Sequence, residues 1–391
     1  MARNWDVAEW LDERSERFTA MSDDIWAHPQ VALAETYACA LQAEALEADG
    51  FRVTRNVGDL PTAFMAEWGS GGPVIGFLGE YDALPDLSQK AQPTHDPVVA
   101  GGPGHGCGHN LLGTAALAAA TALKSWLEST GRSGTVRYYG CPAEETGAGK
   151  VFMARAGVFD DLDAAFTWHP WQNNTIWVSS SLAIDHITFR FHGETAHAAG
   201  SPETGRSALD AVELMNIGVN FLREHIIEKA RIHYVITNGG GQPNVVPAEA
   251  EVWYYVRAPE RDQVDALTAR VRKCAEGAAH MTETRLEVLD AYGVHNYLPS
   301  YVLSDLAFDV LSELGPIDFT DEEVAFARTI SNAFPETNRR ASLRSHDIPL
   351  DALNAGLFGG ITPMGERGKV LSGSTDVSEV SWITPTVQVL T

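Results

Sequence analysis

Metal-ligand residue types occur in three short stretches of the sequence. They are Cys107 and His109 in GHGCGHN, Glu144 and Glu145 in PAEE, and His169 in WHP. Thiolate sulfur and imidazole nitrogen bind zinc and similar ions strongly, and carboxylate oxygens often complete such sites. In an acidic pair, one carboxylate can bind metal while the other acts as a base. Taken singly, each stretch has a plainer interpretation: a solvated glycine-rich turn, a charged loop and a packed histidine.

The elements expected around these stretches would bring them to one edge of a sheet. Apolar runs at 73–78, 135–139 and 164–168 predict buried strands, and the Ala/Leu-rich run 111–127 predicts a helix with Asn110 as its N-cap. Alternation of strands and helices predicts an α/β fold with a central, mostly parallel sheet flanked by helices. Ligands bind beyond the carboxyl ends of the strands in such sheets. The three stretches therefore predict one shared site. A fourth stretch, Glu80-Tyr81-Asp82, ends the first of these strands, and Asp82 there could orient a ligating histidine; its plainer interpretation is an ordinary strand-end acid.

The pattern changes after residue 183, which predicts a second domain. Residues 187–191 alternate between apolar and polar, as in a half-buried strand. The elements that follow have the order β-α-β-β-α-β, which predicts a smaller α+β domain of the ferredoxin-like type. We expect this domain at 184–295, inserted into a catalytic domain formed by 1–183 and 296–391.

Composition argues against several classes of function. The chain has 391 residues, of which 45% are hydrophobic and 20% charged, as in soluble two-domain proteins. A net charge of −24 argues against nucleic acids and anionic membranes as partners. No apolar run is long enough to span a bilayer, and the start lacks a signal-peptide core. With only four cysteines, we expect a cytoplasmic protein.

Together, the motifs resemble the M20 family of metal-dependent amidohydrolases and peptidases. In chain order they are GEYDALP, GHGCGHNLLGTAA, PAEE, WHP, GETAHAAGSPETGRSA, GGGQPNVVPAEAE and SGSTDVSEVSWITPT. Within that family they are most similar to the B-type subunit of aminobenzoyl-glutamate hydrolases, and the resemblance covers nearly the whole chain. It implies hydrolysis of an amide bond in an N-acyl amino acid or dipeptide-like substrate. A substrate of the aminobenzoyl-glutamate type is favoured.

The resemblance also implies roles for individual residues. Two divalent ions, Zn²⁺ or Mn²⁺, would be held by Cys107, His109, Glu145 and His169. Glu144 would be the general base, and Asp82 and His105 would support the ligands. In the smaller domain, His197 would stabilise the oxyanion, and Asn244 and Arg257 would bind a substrate carboxylate. The plainer alternatives are a surface-turn histidine and a solvated arginine.

The resemblance further implies an assembly. The smaller domain would act as a lid and form a homodimer, with His197 reaching the partner's site. The chain could also form a heteromer with a second hydrolase subunit. An alternative function is therefore a non-catalytic or partner-dependent subunit of a two-subunit amidohydrolase. A thiol redox protein using Cys107 and Cys141 is disfavoured, because their spacing is not C-x-x-C.

One family motif is not found in the sequence. The family pattern has a further metal-ligating histidine, in a Gly-Thr-Pro-Gly-His type segment after SGSTDVSEVSW, and no histidine follows His346. His346 lies in a polar stretch and is a poor substitute. We therefore expect a chain truncated at its C-terminus, with a metal centre that lacks one ligand.

Overall fold

The computed structural model describes residues 5–391, which cluster into two compact units. Unit 1 is formed by the chain up to Ser179 together with Leu298–Lys369 and Glu379–Thr391. Unit 2 is formed by Ser180–Tyr297 and Val370–Ser378. The boundaries expected from the sequence differ from these units chiefly at 370–378, a segment that clusters with unit 2.

The strands of both units are numbered here in chain order. They are β1 (Arg52–Arg55), β2 (Phe64–Ser70), β3 (Val74–Glu80), β4 (Gly134–Cys141), β5 (Ala164–His169), β6 (Thr175–Ile176), β7 (Ala183–His192), β8 (Arg231–Asn238), β9 (Glu249–Ala258), β10 (Arg285–Val294) and β11 (Thr386–Leu390).

The helices are numbered in the same way. They are α1 (Trp5–Asp12), α2 (Ser15–Ala27), α3 (Thr36–Ala48), α4 (His109–Thr130), α5 (Gly149–Arg155), α6 (Ala208–Leu222), α7 (Arg261–Thr282), α8 (Tyr301–Leu314), α9 (Asp321–Asn332), α10 (Glu336–Ser345) and α11 (Val377–Ser381). None of the helices found in residues 5–391 is both long enough and apolar enough to cross a membrane.

Unit 1 is built on a seven-stranded sheet with the order β1-β2-β4-β3-β5-β11-β6. The four strands β4, β3, β5 and β11 are parallel neighbours, whereas β1, β2 and β6 pair antiparallel at the two sides. The predicted parallel sheet is thus confirmed for the centre, and the flanking strands are antiparallel. Because β3, β4 and β5 are parallel neighbours, their carboxyl ends lie at the same edge.

Helix α4 connects β3 to β4 and positions one of the ligand stretches. Its Ala- and Leu-rich face is buried in a core shared with α2 and α3. Alanine and leucine favour a helix because neither is branched at Cβ. The helix begins at His109, after Gly108 in a left-handed conformation. The predicted N-cap, Asn110, lies inside the helix instead, where its buried amide donates to Ser22 Oγ at 3.0 Å. The prediction of an Asn110 cap is therefore wrong.

Unit 2 has the element order β7-α6-β8-β9-α7-β10, and its four strands form an antiparallel sheet with the order β10-β7-β9-β8. Side chains alternate along β7 and β9, so that Phe189 and Tyr254 pack under α6 and α7. His186 and Arg257 belong to the alternate set and lie on the opposite face. Strand β8 is an outer strand of this sheet.

Candidate metal centre

Three neighbouring strands deliver the ligand-type side chains to one edge of the unit 1 sheet. Strand β3 ends at Glu80, β4 at Cys141 and β5 at His169, and the β3–β4 register pairs Glu80 with Cys141. The PAEE turn follows β4 directly. Because these strands run parallel, all three chain segments leave the sheet on the same side.

The glycine between Cys107 and His109 allows their loop to approach β5. Gly108 has φ +82°, and a Cβ atom there would lie 2.7 Å from Pro170 Cγ. Only glycine can adopt this positive φ and also leave room for Pro170 without strain. As a result Cys107 Sγ lies 3.3 Å from His169 Nε2. The ligand atoms of Cys107, His109 and His169 all lie within 4.8 Å of one another, so the structure brings these three predicted residues together.

Asp82 fixes the orientation of His109. The fully buried ring donates from Nδ1 to Asp82 Oδ1 at 2.9 Å. Its other nitrogen, Nε2, has no hydrogen-bond partner among the described residues. Asp82 therefore holds the proton on Nδ1, and Nε2 is the nitrogen that can bind a cation once its own proton has been displaced. The second Asp82 oxygen accepts the backbone N–H of Glu145 at 2.9 Å, and so connects the His109 ring to the PAEE turn.

The PAEE turn is held by a carboxylate that the sequence analysis missed. Ala143 adopts a left-handed conformation at φ 57°, which is strained for a residue with a side chain. Its N–H donates to Glu35 Oε1 at 2.9 Å, and the other Glu35 oxygen accepts from Thr62 Oγ at 2.9 Å. Glu35 is fully buried and lies 108 residues from Ala143 along the chain, so no local pattern pointed to it.

The two carboxylates of the PAEE turn have different surroundings. Glu144 Oε2 lies 4.0 Å from His109 Nε2. Glu145 Oε1 is buried, and no residue in the described part of the chain hydrogen-bonds to it. An unsatisfied buried carboxylate oxygen is costly unless it has a cation or a proton. Burial raises the pKa of Glu145, although the positive charge of His109 opposes this effect.

The electrostatics of the cluster fit a divalent cation. Burial raises the pKa of the Cys107 thiol. Burial alone would lower the pKa of His109, but the charge and hydrogen bond of Asp82 raise it well above its usual value. Burial lowers the pKa of His169, so this ring is neutral and able to bind metal. Sulfur, nitrogen and carboxylate oxygen together suit borderline ions such as zinc, which must displace the protons on Cys107 and His109.

His105 is buried, but it does not hydrogen-bond to any ligand. The residue is 4% exposed, and its ring lies near the backbone of Ile25 at the end of α2. Burial, with the charge of His109, lowers its pKa to about 4. The ring lies 6.5 Å from that of Trp26, measured between centroids. The ring is therefore neutral, and its support of the ligands stays a prediction.

The structure adds a buried ion pair that the sequence did not predict. Lys150 Nζ lies 2.5 Å from Glu80 Oε1, and the two side chains are 0% and 2% exposed. Gly149 makes this contact possible, because a Cβ atom there would lie 1.7 Å from the Pro142 carbonyl oxygen. The first turn of α5 can thus pack against the PAEE turn. The sequence pattern singled out Glu80 and Asp82 at the end of a strand, but nothing in the sequence pointed to Lys150.

The predicted residues His197 and Asn244 lie close together in unit 2. The Ala198 N–H donates to the Asn244 carbonyl oxygen at 3.0 Å, so the two loops run side by side. His197 is exposed, and its Nδ1 accepts the Gly200 N–H at 2.9 Å. Since Nδ1 accepts, the ring proton sits on Nε2, which remains able to donate.

Arg257 is half-buried on the face of the unit 2 sheet opposite the helices. Its guanidinium lies 5.5 Å from the Tyr255 ring, and Nη1 donates to Ser374 Oγ at 3.3 Å. Burial lowers the pKa of Arg257. Its Nε is buried, and within the described residues it has no hydrogen-bond partner. An incompletely paired guanidinium of this kind suits an added carboxylate.

An aromatic cavity adjoins His169. Trp171 packs edge-on against His169, with 5.8 Å between ring centroids, and lines a cavity of about 760 Å³ in unit 1. Phe319, Phe334 and Phe358 form other parts of the wall. His346 also contacts Trp171, at 5.6 Å, but belongs to neither group of candidate ligands found among the described residues.

Comparisons with known proteins agree with these features. Residues 76–301 match the sequence model of Peptidase family M20/M25/M40. The chain is 50% identical over 395 residues to the B-type subunit of p-aminobenzoyl-glutamate hydrolase from Escherichia coli (strain K12), covering 98% of this chain and 82% of that protein. It is 30% identical over 233 residues to the A-type subunit of the same organism's hydrolase, covering 56% of this chain and 53% of that protein.

Among solved structures, the fold resembles the YXEP protein of Bacillus subtilis, described as a dinuclear metal-binding peptidase from the M20 family. The TM-score is 0.58 at 20% sequence identity, over 96% of this chain and 88% of that one. The family match covers more than half of the chain, and the half-identical relative aligns along nearly all of it. The chain therefore belongs to peptidase family M20, and it is a hydrolase that acts on amide bonds.

Proposed function

We propose that this protein is a metal-dependent amidohydrolase that cleaves the amide bond of an N-acyl amino acid or dipeptide-like substrate. The observation that carries the proposal is the convergence of Cys107, His109 and His169 beside the PAEE turn. The similarity to one of the subunits of p-aminobenzoyl-glutamate hydrolase favours an aminobenzoyl-glutamate type substrate. The aromatic cavity beside Trp171 supports a substrate with an aromatic acyl group.

In this proposal Cys107, His109, Glu145 and His169 hold two divalent ions, Zn²⁺ or Mn²⁺. When bound, the ions lower the pKa of a water molecule and polarise the substrate carbonyl. Asp82 holds the proton on His109 Nδ1, so that Nε2 is the nitrogen that binds when the ion displaces its proton. The sulfur donor favours zinc, whereas the carboxylate is equally suited to manganese.

Glu144 is proposed as the general base. Its carboxylate takes a proton from the attacking water and delivers that proton to the leaving amine. Its position supports this role, since it lies 4.0 Å from His109 Nε2 and remains partly exposed. Glu145, with its buried and unsatisfied oxygen, is better suited to bind metal.

Unit 2 is proposed as a ferredoxin-like lid and dimerisation domain that completes substrate binding. His197 would donate a hydrogen bond from Nε2 to the oxyanion. This role is supported by the hydrogen bond that Nδ1 accepts from the Gly200 N–H, because it places the ring proton on Nε2. Arg257 and Asn244 would bind the substrate carboxylate. The β-α-β-β-α-β order and the antiparallel strand order β10-β7-β9-β8 support the ferredoxin-like assignment.

The outer strand β8 is the proposed dimer contact. It exposes Tyr234, Val235 and Ile236, and an uncovered apolar strand edge favours pairing with another strand. We expect Val235→Lys to dissociate a homodimer into monomers, as measured by sedimentation velocity. Met281→Lys is the matched control, because Met281 is also an exposed apolar residue of unit 2 but lies on α7. Equal dissociation by both variants, or by neither, would argue against this contact.

A hydrolysis assay tests the proposed function. The purified chain, loaded with Zn²⁺ or Mn²⁺, is incubated with aminobenzoyl-glutamate, and release of aminobenzoate is followed by chromatography. We expect cleavage that stops when a chelator removes the ions and returns when they are restored. A protein that binds two ions but cleaves none of a panel of N-acyl amino acids would contradict the proposal.

The second candidate function is a partner-dependent subunit. The similarity to the B-type subunit of a hydrolase that also has an A-type subunit favours it. Adding an A-type protein to the same assay separates the two candidates. Cleavage that appears only in the mixture would support this candidate, and equal rates with and without the partner would exclude it.

A further inference from the structure

Glu80 and Lys150 form an ion pair that is removed from water at the metal-binding edge of the sheet. Both side chains are almost fully buried, and Lys150 Nζ contacts Glu80 Oε1 at 2.5 Å. Removing two such charges from water is costly, and a buried pair of this kind often adds little net stability. Stability therefore does not explain why the pair is buried, and its location beside the candidate metal ligands suggests a role at that site.

The second Glu80 oxygen faces the metal-binding nitrogen of His109. Glu80 Oε2 lies 3.4 Å from His109 Nε2, the atom that has no hydrogen-bond partner in the described chain. The ligand atoms of Glu80, His109 and Glu144 all lie within 4.8 Å of one another. Two atoms bound to the same tetrahedral zinc ion are roughly 3.3 Å apart, as follows from bonds of about 2 Å. Glu80 Oε2 is thus at ligand spacing from His109.

We propose that Glu80 is a further ligand of the proposed metal centre, binding through Oε2, and that Lys150 is a positioning residue that holds Oε1. The inference rests on the proposed function. With Oε1 held by Lys150, only one carboxylate oxygen is available to the ion. Glu80 adds a hard oxygen donor beside His109, on the side of this ring where Glu144 also lies. Oxygen donors favour Mn²⁺ over softer ions, so this side of the centre takes a harder divalent ion than the side of Cys107 and His169.

A plainer account is that Glu80 only neutralises Lys150. Three variants separate the two accounts. Glu80→Gln removes the charge of the carboxylate. Glu80→Asp keeps a negative charge to neutralise Lys150, but its shorter side chain moves the carboxylate away from the metal site by about 1.5 Å, the length of one carbon–carbon bond. The double variant Glu80→Gln/Lys150→Met removes both charges, so the interior stays neutral. If Glu80 serves only Lys150, this double variant should bind metal normally.

The measurement is ion binding, which does not depend on turnover. Each protein is stripped with a chelator and titrated with Mn²⁺ by calorimetry, and bound metal is counted by mass spectrometry. We expect wild type to bind two ions and all three variants to bind one of them at least about tenfold more weakly. Lys150→Met alone should weaken the same ion less than Glu80→Gln does, because Oε2 remains but Oε1 loses the contact that orients the carboxylate. Thermal unfolding of the stripped proteins establishes that each variant is folded.

The double variant decides the outcome. If it binds two ions as tightly as wild type, Glu80 is not a ligand, and this inference falls while the proposed metal centre stands. If wild type itself binds no ion while folded, the proposed function falls together with the inference. Weak binding of one ion by the double variant and by Glu80→Asp, in folded protein, supports Glu80 as a ligand.

Discussion

The Glu144→Gln variant is expected to lose about 10²- to 10⁴-fold in kcat while it retains its metal ions. Glutamine has nearly the same size and occupies the same turn, but its amide cannot take a proton from the attacking water. The backbone of the turn is held by Glu35 and Asp82, so the substitution leaves the geometry intact. The measurement is the rate of amide hydrolysis, with the metal content of the same sample determined by mass spectrometry.

Two further variants serve as controls for this result. Glu145→Gln should lower metal content as well as rate, because its buried oxygen is the proposed ligand. Glu128→Gln, on the outer part of α4 where Glu128 pairs with Lys124, should change neither. A Glu144→Gln protein with full activity would show that another group takes the proton.

The parts of the fold that follow from local patterns were predictable. Short apolar runs predicted the central strands β3, β4 and β5, because a strand covered on both faces has no polar side. PAEE follows β4 directly, His169 ends β5, and GHGCGHN lies in the long loop beyond β3, so a parallel sheet implied that the three stretches meet at one edge. The Ala/Leu-rich run likewise predicted most of α4. Strand β11 was missed, because its polar residue Gln388 interrupts a very short apolar run.

The start of α4 shows why local rules failed at the site itself. Asparagine is a good N-cap, and Asn110 stands before the apolar run. The chain instead starts the helix at His109, which turns its ring toward Asp82, and buries Asn110 against Ser22 of α2. A tertiary contact 88 residues away therefore outweighs the local preference.

Most of the residues that support the site could not be predicted from the sequence. Glu35 and Lys150 act across 108 and 70 residues of chain, and neither stands in a recognisable motif. Their types are common on surfaces, so a buried position is not the expected one. Asp82 was identified because it stands in GEYDALP, just beyond the end of a predicted strand. The sequence thus located the candidate ligands, whereas the supporting contacts needed the folded structure.

The second large effect is expected for Asp82→Asn, which should weaken metal binding about 10- to 100-fold and lower the rate of hydrolysis with it. Both Asp82 oxygens accept hydrogen bonds, one from His109 Nδ1 and one from the Glu145 N–H. Asparagine has the same shape but only one oxygen, so its NH₂ group must face one of these donors. Either the His109 ring turns or the Glu145 turn shifts, and one ligand leaves its position.

Asp163→Asn is the matched control for this variant, because Asp163 also accepts a backbone N–H, from Val74 at 2.8 Å, but at the start of β3. We expect it to bind metal as wild type does, in the same calorimetric titration. Addition of excess Mn²⁺ or Zn²⁺ should restore much of the activity of Asp82→Asn but not of Glu144→Gln, since the first change lowers occupancy and the second removes the base. Tight metal binding by Asp82→Asn would mean that packing alone, without this carboxylate, holds the His109 ring in place.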